Sequence, residues 1–177
     1  MEIERKYLIH KLPENLDTYP YKKIEQAYLC TEPVVRIRKQ NEEYFLTYKG
    51  KGLLVREEYN LPLTETAYLH LKEKADGIVL SKTRYLLPLS DTLTIELDIF
   101  DAPYENLWLA EVEFSTKEEA ENFLPPSWFG EDVTFSTEYQ NSTLSLKSNC
   151  LSMYPVPDNV LQSSQWFLNH FPEIVVL

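Results

Sequence analysis

Charged side chains recur at every second position in several short segments of this chain, and the residue between them is in most cases apolar. Ile37, between Arg36 and Arg38, is one example. Because successive side chains of a β-strand point to opposite faces, such a segment has one charged and one apolar face. The apolar faces must be covered, and the charged faces must either meet water or be enclosed together. The charged pairs with this spacing are Glu2/Glu4, Arg36/Arg38, Lys82/Arg84, Glu96/Asp98 and Glu111/Glu113.

Most of the chain is predicted to form short β-strands. The segments are rich in Tyr, Ile, Val, Thr, Phe and Leu, and turn sequences such as Gln40-Asn41 and Gly50-Lys51-Gly52 separate them. Eight strands of modest length favour a closed antiparallel sheet, so we expect a mainly β fold with flanking helices (α+β) built on an eight-stranded antiparallel β-barrel. The predicted strands are residues 3–9, 24–30, 34–39, 43–49, 54–61, 78–87, 93–100 and 107–114.

Two geometries are compatible with these strands. In an open sandwich the charged faces point to solvent, which explains any single strand well. It explains the whole set poorly, because solvated faces usually mix Thr, Ser, Gln and Lys, whereas several of these faces carry charged residues almost exclusively. In a closed barrel the charged faces line a lumen, and the apolar faces lie outward under helices. The lumen would then contain seven basic residues (Lys6, Arg36, Arg38, Lys49, Arg56, Lys82 and Arg84) and seven acidic ones (Glu2, Glu4, Glu58, Glu96, Asp98, Glu111 and Glu113).

Helices are predicted beside the sheet and in the C-terminal part. Thr64 occupies the N-cap position of a helix predicted to run to about Ala75, with Gly77 as its C-terminal stop, and Thr116 begins a second helix with capping-box spacing. Past residue 146 the composition shifts to Ser, Asn, Pro and a few apolar residues. We therefore expect one domain over residues 1–146 and a tail over 147–177 that carries a further helix, whose apolar face would serve as a packed cap or a homodimer contact.

The acidic composition argues against several classes of partner. Asp plus Glu total 28 and Lys plus Arg total 17, which gives a net charge of −11. Binding to nucleic acid or to an anionic membrane surface needs a basic face, so neither partner is expected. Neither an apolar run long enough to span a membrane nor a basic-then-apolar signal segment is recognisable in the sequence. We therefore expect a cytoplasmic protein that acts on a small molecule.

The charges of the lumen predict a metal–polyphosphate site. Arg and Lys side chains suit a polyanion with several phosphate groups. Clustered carboxylates supply the hard oxygen ligands that suit Mg²⁺ or Mn²⁺. Carboxylates alone would repel the polyanion, and a divalent cation between the two resolves that conflict.

The segment Glu2-Ile3-Glu4-Arg5-Lys6 resembles the ExExK signature of the CYTH, or triphosphate tunnel metalloenzyme, superfamily. Further motifs follow in the same order, so the resemblance covers about residues 1–146 and is closest to the short bacterial members. These motifs are Gln26-Ala27-Tyr28-Leu29, Arg36-Ile37-Arg38, Thr47-Tyr48-Lys49, Arg56-Glu57-Glu58-Tyr59, Lys82-Thr83-Arg84-Tyr85, Glu96-Leu97-Asp98 and Glu111-Val112-Glu113-Phe114.

The resemblance implies an eight-stranded antiparallel tunnel that binds triphosphate substrates with Mg²⁺ or Mn²⁺. The implied metal ligands are Glu2, Glu4 and a glutamate of the pair Glu111/Glu113, with Glu58, Glu96 and Asp98 for a second metal or for the attacking water. The implied phosphate contacts are Lys6, Arg36, Arg38, Lys49, Arg56, Lys82 and Arg84. Of these residues, Lys6, Glu58 and Asp98 are expected to take part in the chemical step.

Three positions depart from the pattern of the short bacterial members. Asn60 stands where a second acid often follows Glu58, and an amide is a weaker metal ligand and no base. Pro126-Ser127-Trp128-Phe129-Gly130 and Tyr139-Gln140-Asn141 are similar to the closing motif of these members, but Gln140 and Ser142 stand where lysines often occur in it. These replacements weaken the expected site for a second metal and remove one expected phosphate contact.

These features favour hydrolysis of a terminal phosphoanhydride, with inorganic tripolyphosphate as the substrate. Phosphoryl transfer needs positioning and charge neutralisation rather than a nucleophilic Ser or Cys. A thiamine or nucleoside triphosphatase and a class IV-type adenylyl cyclase are the enzymatic alternatives. A non-catalytic polyphosphate-binding module is the remaining one, and the intact carboxylate pairs Glu2/Glu4 and Glu111/Glu113 argue against it.

Overall fold

A computed structural model describes residues 2–146. The strands are β1 (Glu2–Ile9), β2 (Tyr21–Thr31), β3 (Val34–Gln40), β4 (Glu43–Lys49), β5 (Val55–Arg56), β6 (Glu58–Pro62), β7 (Asp76–Pro88), β8 (Thr94–Phe100), β9 (Trp108–Glu113) and β10 (Phe129–Asp132). The helices are α1 (Glu65–Lys72), α2 (Lys117–Asn122) and α3 (Asn141–Leu146), with single 3-10 turns at Leu16–Thr18 and Thr137–Tyr139.

The strands form one antiparallel sheet that curls into a nearly closed barrel. The hydrogen-bonded order is β10-β1-β9-β8-β7-β2-β3-β4-β6. β5 pairs with β1, where Glu2 lies opposite Arg56 and Ile3 lies opposite Val55. Because only Glu57 separates β5 from β6, this broken strand joins the two sides of the barrel. The mainly β fold and the antiparallel barrel predicted from the sequence are confirmed.

The eight predicted strand segments are all strands, with two differences in detail. The segment 54–61 is divided at Glu57, because its first part pairs with β1 and its second part pairs with β4. The sequence does not predict β10, which is short and has no clear alternation. It is a strand because it pairs with the far part of β1, around Tyr7 and Ile9.

Two helices begin where the sequence predicts. The hydroxyl groups of Thr64 and Thr116 each accept a hydrogen bond from the backbone N–H three residues ahead. The prediction that Gly77 ends the first helix is wrong, because α1 ends at Lys72 and Gly77 lies inside β7 with φ of 68°. A Cβ at Gly77 would lie 2.1 Å from the carbonyl oxygen of Ser145, so glycine lets α3 pack against β7.

The larger core lies outside the barrel wall. The apolar faces of β1, β8 and β9 pack there under α2, with Ile3, Leu97, Val112 and Ala120 among the buried members. These residues alternate with the charged positions along the same strands, as the period of two requires. Covering this outer face is what allows the charged face to turn inward.

One end of the barrel interior is also apolar. We call it the apolar end and define it by Tyr28, Leu80, Phe100, Leu109 and Leu144, which form one buried cluster. The first four belong to strands of the barrel, and Leu144 comes from α3. The helix therefore plugs this end, and the charged part of the lumen lies above it.

None of the helices in residues 2–146 is long and apolar enough to cross a membrane. The helix predicted in the tail lies outside the described residues. The division of the chain at residue 146 stays a prediction.

Candidate active site

The charged part of the lumen forms an open cavity above the apolar end. Side chains from β1 to β9, from the segment after β10 and from the start of α3 line it. Twelve of the fourteen charged residues predicted to face a lumen are among them: Glu2, Glu4, Lys6, Arg36, Arg38, Lys49, Arg56, Glu58, Arg84, Glu96, Glu111 and Glu113. The charged faces of the strands therefore point inward and not to solvent.

Lys82 and Asp98 lie beneath the cavity and do not line it. Both side chains have 0% exposure, and they form an ion pair with each other. Arg84 donates two hydrogen bonds of 2.6 Å to Asp98, and the Lys82 ammonium lies 5.1 Å from the ring centroid of Phe100. Asp98 thus fixes two basic side chains at the boundary with the apolar end. The predicted contacts of Lys82 with phosphate and of Asp98 with metal or water remain predictions.

The carboxylates of β1 hold basic side chains of the neighbouring strands. Glu2 accepts hydrogen bonds of 2.8 Å from Lys49 Nζ and from Arg56 Nε. Glu4 lies 3.3 Å from Arg56. Burial, and after it the nearby carboxylate of Glu111, raise the pKa of Glu4. The positive charges around Glu4 therefore do not fully balance its negative charge.

Glu111 is held by two basic neighbours. It lies 2.9 Å from Lys6 Nζ and also contacts Arg84, which in turn contacts Glu96. Burial by itself would raise the pKa of Glu111, but Lys6 and Arg84 outweigh it and hold the pKa well below its ordinary value. Glu111 is therefore an ionised and well-compensated group.

Arg36 and Arg38, on β3, differ from the other basic residues of the lumen because they form no ion pair with a carboxylate of residues 2–146. Arg36 donates to Thr47 Oγ1 at 3.1 Å, and Arg38 donates to Gln26 Oε1 at 3.0 Å. Within the described chain, the Nε atoms of both arginines are buried without a partner. Burial, and after it the Arg36 guanidinium, lower the pKa of Arg38 to about 9. β3 thus presents two positive charges that no carboxylate of these residues balances.

Glu113, on β9, carries the complementary charge on the opposite wall. It forms no ion pair in the part of the chain that the structure describes, and burial and the carboxylates of Glu2 and Glu96 raise its pKa. If β5 and β6 are counted as one strand, β9 and β3 lie four strands apart in either direction around the barrel. The cavity therefore has unbalanced positive charge on one wall and unbalanced negative charge on the facing wall.

The carboxylates match a divalent metal ion in chemical kind, although they do not converge on one point. Carboxylate oxygens are the ligands that Mg²⁺ and Mn²⁺ prefer. Over residues 2–146, no three Asp, Glu, His or Cys side chains lie close enough together to hold one ion. Glu2, Glu4 and Glu111 are turned towards basic side chains instead. The pKa values of Glu4 and Glu113 are raised, so ionised carboxylates are unfavourable at these two positions. A bound divalent cation would stabilise the ionised carboxylates.

Sequence reasoning missed several neutral residues of this region. Tyr28 lines the cavity, and the fully buried Gln26 lies behind Arg38. Their spacing along a predicted strand places them on one face, and this signal could have found them. The segment after β10 adds Thr134 and Asn141, and the Asn141 Oδ1 atom has no partner within the described residues. The resemblance pointed to this segment through its closing motif, and Gln140 and Ser142 also line the cavity.

A model of the CYTH domain matches residues 1–148. The chain belongs to the CYTH family. The order of charged motifs that resembles this family, from Glu2 to Glu113, is thereby confirmed as a sign of membership. The nearly closed barrel agrees with the tunnel fold that the resemblance implies.

This CYTH protein is similar in sequence to two inorganic triphosphatases, and the match covers nearly the whole length of the first. It is 40% identical over 149 residues to the inorganic triphosphatase of Nitrosomonas europaea, a match that covers 82% of this chain and 97% of the relative. It is 33% identical over 113 residues to that of Acetivibrio thermocellus, covering 62% and 70%. A crystal structure of an inorganic triphosphatase has a TM-score of 0.63 at 36% identity, covering 82% of this chain and 95% of that one.

Proposed function

We propose that this CYTH protein is a triphosphatase that hydrolyses the terminal phosphoanhydride of inorganic tripolyphosphate. The observation that carries the proposal is the polarity of the cavity, with Arg36 and Arg38 unbalanced on one wall and Glu113 unbalanced on the facing wall. Tripolyphosphate with a divalent cation has the complementary distribution of charge. The identity of 40% to one inorganic triphosphatase and 33% to another supports the same activity.

Six basic residues of the cavity are proposed to hold phosphate oxygens. Arg36 and Arg38 are available without the loss of an ion pair, and the others become available when their carboxylates turn to a cation. A charge-assisted hydrogen bond of this kind is worth roughly 1.5–3 kcal/mol. The six residues are Lys6, Arg36, Arg38, Lys49, Arg56 and Arg84.

Carboxylates of β1 and β9 are proposed to hold the metal. Triphosphatases of the CYTH family are metal-dependent, and for this chain we propose Mg²⁺ or Mn²⁺. Glu4 and Glu113 lie opposite each other on adjacent strands, with Glu2 and Glu111 beside them. The ion would neutralise charge on the terminal phosphate and polarise it. Glu96 and Glu58, which also face the cavity, are the remaining candidates for a second ion.

Glu58 is proposed to orient the attacking water. It faces the cavity and lies 2.6 Å from Lys49 Nζ. Burial by itself would raise the pKa of Glu58, but contacts with Glu2 and Lys49 outweigh it and lower the pKa. The carboxylate is therefore an ionised acceptor, which is sufficient because phosphoryl transfer depends mainly on positioning. Asp98 has no exposed surface and is proposed to position Arg84, while the predicted contacts of Asp98 with metal or water and of Lys82 with phosphate stay predictions.

A phosphate-release assay with tripolyphosphate, ATP, thiamine triphosphate and pyrophosphate, each with Mg²⁺ or Mn²⁺, tests this function. We expect tripolyphosphate to be cleaved fastest, to orthophosphate and pyrophosphate, and only with metal. Formation of cyclic AMP and pyrophosphate from ATP would indicate a cyclase. Tight binding of tripolyphosphate without turnover would indicate a polyphosphate-binding module.

Further parts of the proposal concern the context of this activity. The catalytic unit is proposed to comprise residues 1–146, and a chain shortened after residue 146 should keep its specific activity. A cytoplasmic location, a homodimer and the lack of nucleic-acid binding remain predictions. Cell fractionation, sedimentation and a filter-binding assay would test them in that order.

A further inference from the structure

The helices cover only part of the outer face of the barrel wall. α2 packs over one part of it, and α1 packs over β3 and β4 near Tyr44. At the other end of β4 and on the neighbouring β6, apolar side chains stay exposed in the described part of the chain. Two cross-strand pairs form this patch, which we call the uncovered face. The pairs are Leu46 with Leu61 and Tyr48 with Tyr59.

The exposure of the uncovered face is large for apolar side chains. Tyr48 is 38% exposed, and Tyr59 and Leu61 are each 58% exposed. Thr47 and Lys49, which alternate with Tyr48 along β4, are buried on the lumen side, so Tyr48 points outward. The rings of Tyr48 and Tyr59 lie 6.2 Å apart. A contiguous apolar patch, unlike single exposed residues, indicates a contact surface.

The sequence after residue 146 has the complementary property. Nearly half of residues 147–177 are apolar or aromatic, and only Lys147, Asp158 and Glu173 are charged. Segments that stay solvated have the opposite composition, with few apolar and many charged residues. The family model ends at residue 148, and the match to the Nitrosomonas europaea relative takes in 97% of that relative but 82% of this chain. The tail is therefore an addition to the CYTH domain that brings apolar side chains in need of cover.

The size of the uncovered face suits one helix. A helix is predicted over residues 158–171, and it would be about 21 Å long and about 10–12 Å wide. The uncovered face is two strands wide, which is roughly 10 Å. A stable homodimer takes roughly 800 Å² and 20–30 residues from each partner, far more than these four residues provide. The apolar positions that share one side of the predicted helix are Val160, Leu161, Phe167, Leu168 and Phe171.

The tail also begins within reach of the uncovered face. The Cα atom of Leu146 would lie 3.4 Å from a Cβ at Gly77, so the tail starts beside the first residues of β7. From Asp76 a line of paired residues crosses β2, β3 and β4 to Asn60 on β6. These four steps between strands amount to roughly 19 Å, whereas residues 147–157 extend to roughly 36 Å. The residues between the two ends of the line are Tyr28, Arg36 and Thr47.

We propose that residues 158–171 form an amphipathic helix that covers the uncovered face of the same chain, with Phe167 packed against Tyr59 and Leu61. The inference goes beyond the proposed function and does not depend on it, because it concerns the outer wall and needs no substrate. β4 and β6 carry Lys49 and Glu58 on their lumen side. The helix would therefore stabilise the part of the wall from which these two side chains reach the cavity.

Photo-cross-linking in the full chain tests the contact directly. The photoreactive amino acid p-benzoylphenylalanine is introduced in place of Phe167, and cross-linked peptides of the monomer are identified by mass spectrometry. We expect the main product to join the tail to peptides of β4 or β6. The same photoreactive group in place of Asn169, on the opposite side of the predicted helix, should give this product at least about fivefold less.

Two other cross-linking results would overturn the proposal. A main product that joins two chains would indicate that the tail contacts a second copy. A main product with peptides around Trp108 or Tyr139 would indicate that the tail occupies the separate cavity between these residues. Equal yields from positions 167 and 169 would also contradict a specific packed side.

A double-mutant cycle on melting temperature gives an independent measurement. Leu61→Thr should lower the melting temperature of the full chain by about 3 °C, and by clearly less when Phe167→Ala is already present, because residues in contact are not additive. Leu124→Thr is the matched control, since Leu124 is 87% exposed and lies outside the uncovered face. Its effect should be within about 1 °C and should add to that of Phe167→Ala. Additive effects of Leu61→Thr and Phe167→Ala would overturn the proposal.

Discussion

The two ends of the barrel interior come from the same strands, yet one is a packed core and the other is a charged cavity. β9 passes through both, with Leu109 in the apolar end and Glu111 and Glu113 in the cavity. β1 does the same, because Lys6 lines the cavity and Leu8 packs against the apolar end. The change from one kind of interior to the other takes place within two residues of a single strand.

This difference indicates a division of tasks within one lumen. Burying charged groups is costly, and ion pairs in a low dielectric do not reliably return that cost. Apolar contacts at the other end and outside the wall therefore have to stabilise the fold. The apolar end also closes the barrel through Leu144 of α3. Substitutions at the two ends should accordingly separate stability from function.

The largest effect on stability is expected from Leu109→Ala in the apolar end. Leu109 has 0% exposure, and truncating such a side chain costs about 2–5 kcal/mol of unfolding free energy. The KM for tripolyphosphate should stay within about twofold, because no residue of the cavity is changed. Urea unfolding and steady-state kinetics below the transition measure both quantities. A variant that keeps its stability but has a raised KM would contradict the separation of stability and function between the two ends.

Glu4→Gln, in the cavity, should reduce activity and leave the stability of the fold almost unchanged. Loss of one anionic metal ligand should reduce metal-dependent hydrolysis about a hundredfold or more, which corresponds to about 2.7 kcal/mol. The pKa of Glu4 is raised by burial and by Glu111, so the ionised group is less favourable in the folded than in the unfolded chain, and wild-type stability falls as pH rises through that pKa. The neutral glutamine should therefore leave stability at pH 7 unchanged or slightly higher. Wild-type turnover in a folded variant would disprove the metal assignment of Glu4.

Arg38→Ala should weaken substrate binding with a small effect on the fold. Loss of one charge-assisted contact of roughly 1.5–3 kcal/mol corresponds to an increase in KM of about tenfold to a hundredfold. Lys39→Ala is the control, because Lys39 is the next residue of β3 and points to the other face, where its ammonium lies 5.6 Å from the ring centroid of Tyr44. Equal kinetic effects of the two substitutions would rule out a specific contact between Arg38 and the substrate.

The smallest expected effect is the stabilisation of the folded protein by added tripolyphosphate, relative to the protein without it. At a tenfold excess over Kd, binding to the folded state contributes about 1.4 kcal/mol, or roughly 3–6 °C in melting temperature for a chain of this size. The shift should exceed that of orthophosphate at matched ionic strength and should persist in Leu109→Ala. Thermal-shift titrations measure it. Equal shifts with the two anions would favour non-specific screening over a polyphosphate site.

Much of the fold and of the candidate site could be predicted because alternation is a local property. The period of two along a strand assigned Ile37 to one face and Arg36 and Arg38 to the other without any knowledge of their neighbours. The resemblance to the CYTH family then distinguished a closed barrel from an open sandwich, which alternation alone left undecided. The side of the wall on which a charge lies was thus determined by the sequence itself.

Only the tertiary structure decided which charged side chains form ion pairs with each other and which have neutral partners. Lys82 and Asp98 follow the same alternation as the cavity residues, but both are fully buried and form an ion pair with each other, and the Lys82 ammonium lies over the ring of Phe100. Arg36 and Arg38 have the same chemistry as Arg84, yet their positions on β3 give them hydroxyl and amide partners in place of carboxylates. These outcomes depend on register and on contacts between strands far apart in the chain, and a periodic pattern along one strand carries no information about its neighbours.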